Sequence, residues 1–200
     1  MRNHYIPELA LEGAIDGKKS RELEYTIYAK LKDMSQLTKA PEKEEHEQWQ
    51  LPLKVEGPVR ARLRLINGRR YTMTTKAKRD GVAGWEEVDS DIPEDLFNHL
   101  KEMCINGYKK TRYSFPIAGT KHKWEIDVFM DSSGKPHPWV KIDLEVDSPT
   151  DPIPDFNLEI EKCIIENHKS TTPDEERFVK KLWDDEWVKI EGNIRPGTEV

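Results

Sequence analysis

Like charges recur at a spacing of two residues in seven segments of the chain. The acidic segments carry Glu22/Glu24, Glu87/Asp89, Glu125/Asp127 and Asp143/Glu145. The basic segments carry Arg60/Arg62/Arg64, Lys76/Lys78 and Lys110/Arg112. A spacing of two places side chains on the same face of a β-strand, so we expect seven strand faces, each carrying charges of a single sign.

Strand faces of opposite sign have a definite chemical use when they share one cavity. Carboxylates on neighbouring strands hold Mg²⁺ or Mn²⁺, because these ions prefer hard oxygen ligands. Arginine and lysine bind phosphate oxygens, and a guanidinium group can do so through two parallel hydrogen bonds. Such a cavity would bind a polyphosphate with its metal ion and promote phosphoryl transfer by positioning and charge neutralisation.

The composition indicates that the positive charge is local. Hydrophobic residues make up 36% and charged residues 35% of the 200 residues, against about 45–50% and about 25% in an average globular domain. The net charge is −6. A specific anion site therefore explains the basic segments better than a nucleic-acid surface does, and no DNA partner is expected.

The clearest predicted element is a β-hairpin made by residues 59–65 and 71–78. Its first strand alternates Arg60, Arg62 and Arg64 on one face with Ala61, Leu63 and Leu65 on the other. The pair Asn67-Gly68 between the two strands is typical of a tight hairpin turn. One face of this hairpin is apolar and the other is cationic.

The rest of the pattern predicts further antiparallel strands with a few helices. Six strands are expected at residues 22–29, 48–55, 85–92, 108–117, 123–130 and 140–146. Helices are expected at 8–14, from Pro93 to Gly107, at 157–167 and at 172–187, with 32–47 as a surface helix or a connection. We predict an α+β fold, with residues 1–20 as an N-terminal extension and 21–190 as a single domain. Eight antiparallel strands could close into a barrel.

Two arrangements could accommodate the charged strand faces. In one, they are the solvated side of an open antiparallel sheet, which is commonly charged. In the other, they line the lumen of a closed barrel whose outer, apolar face is covered by helices. Segregation of like charges along each strand favours the lumen, because adjacent like charges repel unless another strand or a ligand compensates them.

The ordered set of charged motifs resembles the CYTH superfamily, the triphosphate tunnel metalloenzymes, over about residues 21–147. The segment Glu22-Leu23-Glu24-Tyr25-Thr26 corresponds to the family's Glu-x-Glu-x-Lys signature. The other motifs follow in the family's order: Arg60-Ala61-Arg62-Leu63-Arg64, Thr74-Thr75-Lys76, Glu87-Val88-Asp89, Lys110-Thr111-Arg112-Tyr113, Glu125-Ile126-Asp127-Val128-Phe129 and Asp143-Leu144-Glu145. The resemblance implies an eight-stranded antiparallel barrel around a charged tunnel, with flanking helices.

The resemblance also implies roles for individual residues. Ligands of Mg²⁺ or Mn²⁺ would be Glu22, Glu24, Asp127, Asp143 and Glu145. The triphosphate would be bound by Arg60, Arg62, Lys76, Lys78, Lys110 and Arg112, with Arg64 beside them. Glu87, Asp89 and Glu125 would extend the acidic side of the tunnel. The residues expected to matter most for catalysis are Glu22, Glu24, Lys76 and Glu145.

The implied activity is metal-dependent hydrolysis of an inorganic triphosphate or a nucleoside triphosphate. Two alternatives stay open at this stage. One is a class IV-type adenylyl cyclase on the same scaffold, and the other is a module that binds a phosphorylated ligand or an RNA 5′ end without chemistry.

The chain departs from the family pattern at the signature lysine, which is replaced by Thr26. The next lysine is Lys30, further along the same strand face. Threonine can donate a hydrogen bond but carries no charge, so this replacement should weaken substrate binding and would suit a specialised or non-catalytic member. Asp89 and Asp143 are also one methylene shorter than the glutamates common at those positions.

The remaining residues point to no second chemistry. Cys104 and Cys163 lack metal-ligand spacing and fit reduced thiols. The six histidines show no pairing at metal-binding spacing. No apolar run approaches the roughly 20 residues of a membrane helix, and the first residues lack the apolar stretch of a signal peptide. We therefore expect a cytoplasmic protein without a membrane partner.

Overall fold

The computed structural model describes residues 18–22, 24–52, 59–77, 85–104, 106–131, 133–147, 151 and 154–166. Within these residues it contains ten β-strands, one α-helix and one short 3₁₀ helix. The strands are β1 (Lys18–Glu22), β2 (Glu24–Leu31), β3 (Glu42–Gln50), β4 (Val59–Ile66), β5 (Arg70–Ala77), β6 (Trp85–Asp91), β7 (Asn106–Pro116), β8 (Lys123–Met130), β9 (Pro136–Glu145) and β10 (Ile160–Glu166). The helix α1 covers Glu94–Lys101, and the 3₁₀ helix covers Met34–Lys39.

All described strands belong to one antiparallel sheet, in the order β1-β6-β5-β4-β3-β7-β8-β9-β2-β10. The antiparallel sheet with few helices that the sequence predicts is therefore present. Within the described residues the ladder has ten strands instead of eight, and its hydrogen bonding does not close it into a barrel. Only residue 23 separates β1 from β2, yet β1 pairs with β6 and β2 pairs with β9. The sheet must therefore curve until its two ends approach each other.

The β4–β5 hairpin confirms the alternation predicted for it. Arg62 lies opposite Thr74 and Arg64 opposite Thr72, so these side chains share the face that we call the inner face of the sheet. Asn67 and Gly68 have φ angles of 51° and 65°. This left-handed conformation is the one that an Asn-Gly pair tolerates well.

The outer face of the sheet carries two apolar cores. The larger core is formed by β2, β8 and β9 and is covered by Leu37 of the 3₁₀ helix, with Phe156 against Trp124. The smaller core lies where α1 packs on β4 and β5 and contains Trp49, Leu63 and Phe97. Burial of this face on β2, β4, β8 and β9 leaves the opposite, charged face to form the site.

Three predicted elements need correction. The strand expected at 48–55 is β3, Glu42–Gln50, because the segment forms the ladder between β4 and β7 although its residues 42–48 are polar on both faces. The helix expected at 157–167 is strand β10, which pairs with β2. The segment 32–47 holds the 3₁₀ helix and most of β3 instead of a surface helix. The helices expected at 8–14 and 172–187 lie outside the described residues.

Candidate functional site

A cavity of about 380 Å³ lies against the inner face of the sheet. Among the residues that the structure describes, six acidic and six basic side chains line it. The acidic ones are Glu24, Glu87, Glu125, Asp127, Asp143 and Glu145. The basic ones are Arg62, Arg64, Lys76, Lys110, Arg112 and Lys141. Strands far apart in the sequence therefore contribute to one charged site, and its formal charges balance.

Most of the predicted site residues meet in this cavity, and two of the described ones do not line it. Arg60 is exposed and lies over the ring of Trp85, 4.9 Å from its centroid. Asp89 does not line the cavity but pairs with Arg64, which does. The side chain of Glu22 and the whole of Lys78 fall outside the described part of the chain.

Basic side chains of β4 and β5 are held in place by acidic side chains of β6. Nη2 of Arg64 donates to Thr74 Oγ1 at 3.0 Å and to Asp89 Oδ1 at 3.1 Å. Nζ of Lys76 lies 2.9 Å from Glu87 Oε2. Burial, together with the neighbouring Arg62, lowers the pKa of Arg64. These two cations are thus already partly satisfied by acidic neighbours on β6.

Arg62 is the exception among the basic lining residues. It forms no ion pair with any residue in the described ranges, although it lines the cavity between β3 and β5. Its Nε is buried without a hydrogen-bond partner. A guanidinium group in this setting has hydrogen-bonding capacity left for an anion.

The centre of the site is a buried ion cluster between β7 and β8. Arg112 donates to Asp127 through Nε at 2.7 Å and through Nη2 at 2.8 Å. Lys110 also contacts Asp127, and Arg112 contacts Glu125. Although burial favours the neutral acid, Arg112 and Lys110 hold the pKa of Asp127 well below its ordinary value. Burial and the nearby arginines lower the pKa of Lys110 to about 7.

A second cluster joins β2 and β9 and was only partly foreseen. Lys141 Nζ lies 3.0 Å from Glu24 Oε1 and 2.7 Å from Asp143 Oδ2. Its position two residues before Asp143 places a cation on a strand face predicted to carry one sign, so that expectation is wrong for β9. The lysine stands at the right spacing in the sequence, but it interrupts the like-charge pattern that predicted the other site residues.

The charges of this cluster depend on one another. Burial and the nearby Glu24 raise the pKa of Asp143 to about 6. Burial also raises the pKa of Glu145, with further repulsion from Glu125. Although burial opposes it, Asp143 and Glu24 hold the pKa of Lys141 well above its ordinary value. Lys141 is therefore a persistent cation between two carboxylates.

Aromatic side chains that sequence reasoning missed complete the lining, and an amide contacts one of them. Tyr28 and Tyr108 lie on the inner face with Phe129, and the rings of Tyr108 and Phe129 meet edge to face at 5.6 Å. The amide of Gln48 contacts the hydroxyl of Tyr108. Tyr28 is spaced by two and four residues from Thr26 and Glu24 on β2, so the alternation of a strand predicts that it lies on the same inner face.

The carboxylates predicted to hold a metal ion have different surroundings. Asp127 is engaged by two cations, and Glu24 and Asp143 share Lys141. Glu145 is exposed and lies opposite Glu24. Glu24, Asp143 and Glu145 thus remain as neighbouring oxygen donors on the inner faces of β2 and β9.

A different group of possible ligands lies at the surface. Ligand atoms of His122, Asp147 and Asp151 all lie within 4.8 Å of one another. It is the one such trio found in the described parts of the chain. Asp147 is also paired with Lys121 at 2.6 Å, and none of the three residues lines the cavity.

Comparison with known proteins gives a limited likeness. No family model and no curated protein matches the chain. A crystal structure of a "putative adenylate cyclase" from Bacillus halodurans is similar at 15% sequence identity and a TM-score of 0.45, over 65% of this chain and 82% of that one. No activity is transferred from a likeness at this level. Neither helix in the described residues has the length and apolar character of a membrane span.

Proposed function

We propose that the cavity binds the triphosphate group of inorganic triphosphate or of a nucleoside triphosphate and promotes its metal-dependent hydrolysis. The observation that carries the proposal is Arg62. Each of the other five basic lining residues already has a carboxylate partner, whereas Arg62 has none in the described ranges. A guanidinium group left without a carboxylate beside a polar cavity is suited to phosphate oxygens.

The neighbouring cations would extend this phosphate site. Lys76 and Arg112 line the same cavity as Arg62, so a chain of phosphates could contact more than one of them. Their present carboxylate partners position them and would compete with the ligand for them. Binding would therefore depend on exchange of internal ion pairs for contacts with phosphate.

The donor set on β2 and β9 suits a hard divalent ion. Glu24 lies opposite Glu145, and Asp143 is next on the same inner face. Burial raises the pKa values of Asp143 and Glu145, and a bound divalent ion would compensate their negative charges. These three residues would hold Mg²⁺ or Mn²⁺, which supplies charge neutralisation and an activated water when bound.

The resemblance of the motifs to triphosphate tunnel metalloenzymes agrees with this proposal. It also includes the finer expectation of a closed tunnel, in which the segment 18–31 would join the two ends of the curved sheet. β1 and β2 follow each other in the chain and pair with opposite parts of the sheet, which brings the two ends of the sheet toward each other.

A substrate panel tests the activity. Purified protein is incubated with inorganic triphosphate, nucleoside triphosphates and a 5′-triphosphorylated RNA, each with Mg²⁺, with Mn²⁺ and with EDTA. We expect orthophosphate release from at least one substrate, dependent on the divalent ion. Absence of turnover on every substrate by folded protein would contradict the proposal.

The same assay separates the alternatives. Cyclic AMP with pyrophosphate, instead of orthophosphate, would identify an adenylyl cyclase. Saturable binding without any product would identify a binding module, which the uncharged Thr26 and the extensive internal ion pairing would explain.

A further inference from the structure

Lys141 occupies an unusual position for a lysine beside an expected metal site. Its ammonium group lies between Glu24 and Asp143, at 3.0 Å and 2.7 Å. Both carboxylates belong to the set proposed to hold the divalent ion. Its side chain is 26% exposed, so the ammonium also borders the open part of the cavity.

The oxygens of Asp143 are fully engaged in this arrangement. Oδ2 accepts from Lys141, and Oδ1 accepts a 2.8 Å hydrogen bond from the hydroxyl of Thr26. Oε1 of Glu24 accepts from Lys141, and Oγ1 of Thr26 lies 3.4 Å from it. A divalent ion that uses these carboxylates must therefore compete with the ammonium group for the same oxygens.

We propose that Lys141 is an exchangeable cation of the site. Without a divalent ion it neutralises Glu24 and Asp143, and when an ion takes these carboxylates the ammonium group is released to the phosphate chain. The inference rests on the proposed triphosphate site. It assigns to Lys141, on β9, the cationic role toward substrate that Thr26 on β2 cannot perform.

The placement of the lysine supports release toward the ligand. Lys141 lies opposite Tyr28 on one side and opposite Asp127 on the other. Asp127 is already compensated by Lys110 and Arg112, so it offers the released ammonium little further attraction. The remaining strong acceptor near this lysine would be a bound phosphate.

Two consequences follow from competition for the same oxygens. The lysine weakens the binding of a divalent ion, so removal of its charge should strengthen ion binding. Once the ion is bound, the released ammonium strengthens triphosphate binding, so the same substitution should weaken it. Opposite effects on the two ligands distinguish this exchange from a structural ion pair, which would leave both affinities unchanged.

The test uses Lys141→Gln, which keeps hydrogen-bond donors but removes the charge. Mn²⁺ affinity is measured by electron paramagnetic resonance without phosphate, and tripolyphosphate affinity by calorimetry in saturating Mg²⁺. We expect Mn²⁺ to bind about tenfold more tightly and tripolyphosphate about tenfold more weakly, a coupling of ordinary size. Lys32→Met removes a charge from an exposed ion pair with Glu159 and should change neither value.

A second variant keeps the test informative if Lys141→Gln does not fold. In Thr26→Lys/Lys141→Gln the ammonium comes from the opposite strand, and both affinities should stay near those of the unaltered protein. Unchanged Mn²⁺ affinity in folded Lys141→Gln would overturn the proposal, as would unchanged tripolyphosphate affinity. Mn²⁺ binding is measured without turnover, so its result is independent of whether hydrolysis is found.

Discussion

The hydroxyl of Thr26 donates a 2.8 Å hydrogen bond to Asp143, which lies directly opposite it in the β2–β9 ladder. Both residues are buried. The threonine thus supports an acidic residue of the site through a hydrogen bond, in the place where a lysine would contribute charge.

Replacing Thr26 by valine should destabilise the protein. The substitution preserves shape but leaves a buried carboxylate oxygen without its donor, which typically costs about 1–3 kcal/mol. The free energy of unfolding in urea measures the effect. Thr38→Val is a suitable control, because the exposed Thr38 hydroxyl donates only to a local carbonyl. Equal losses in the two variants would contradict the expectation.

Arg62→Met should reduce ligand affinity more than stability. Because Arg62 forms no ion pair in the described ranges, its removal leaves no carboxylate uncompensated, while a bound phosphate would lose its free guanidinium group. We expect at least a tenfold loss of tripolyphosphate affinity, comparable to a lost charge-assisted hydrogen bond of roughly 1.5–3 kcal/mol. The control is Arg70→Met, whose exposed guanidinium pairs with Asp91; similar affinities of both variants would refute the role.

Asp127→Asn should be strongly destabilising. Asp127 is 1% exposed and contacts Lys110 and Arg112, so the substitution leaves two buried cations poorly compensated. Breaking a buried pair in this way costs about 3–5 kcal/mol. Asp91→Asn removes an exposed partner of Arg70 and should cost less than about 1 kcal/mol. Urea denaturation of the two variants provides the comparison.

His46 should make stability fall in mild acid. Burial, followed by Lys110, Arg112 and Arg64, lowers its pKa to about 3, although Nε2 contacts Glu44 at 3.1 Å. His46 is therefore protonated near pH 6.5 in the unfolded chain, whereas in the folded protein it stays neutral at that pH. The associated stability is complete above pH 6.5 and decreases by about 1.4 kcal/mol per pH unit toward pH 3.

His46→Gln removes this dependence. The free energy of unfolding of the unaltered protein, minus that of the variant, should shrink steadily between pH 6 and pH 4. A difference that stays flat over this range would show that His46 takes up its proton in the folded protein as it does in the unfolded chain.

Gly107→Ala should disturb the smaller core. An added Cβ would lie 2.6 Å from Cε3 and 2.8 Å from Cδ2 of Trp49, the residue opposite Gly107 in the β3–β7 ladder. Trp49 is 2% exposed and cannot move without displacing the core, so we expect a loss of about 1–3 kcal/mol. In a Trp49→Leu background the same change should cost markedly less, as a double-mutant cycle would show.

The sequence was sufficient where one face of a strand is apolar. The hairpin, its turn and the inner position of Arg62 follow from strict alternation, which side-chain burial requires. It was insufficient for β3, whose residues 42–48 are polar on both faces and give no periodicity. It also misassigned β10, because a short run with several isoleucines suits a helix or a strand equally well.

The sequence predicted which charged residues line the site better than it predicted which of them form ion pairs with each other. Spacing alone placed the charged side chains on common faces, but the partner of each depends on strand order. Lys141 reaches Glu24 only because β9 lies beside β2, a contact between residues far apart in the sequence. The same applies to Arg112 and Asp127, whose opposite positions in the ladder follow from the register of β7 and β8.

The place of β2 between β9 and β10 has a consequence for biosynthesis. Thr26 and Asp143 are 117 positions apart, so β2 leaves the ribosome long before its partners exist. At about 5–20 residues per second, the delay is roughly 6–23 s. During this time Glu24 of β2 has neither Lys141 nor β9 beside it. Assembly of the site should accordingly be a late event in folding, slowed by the high sequence separation of its contacts.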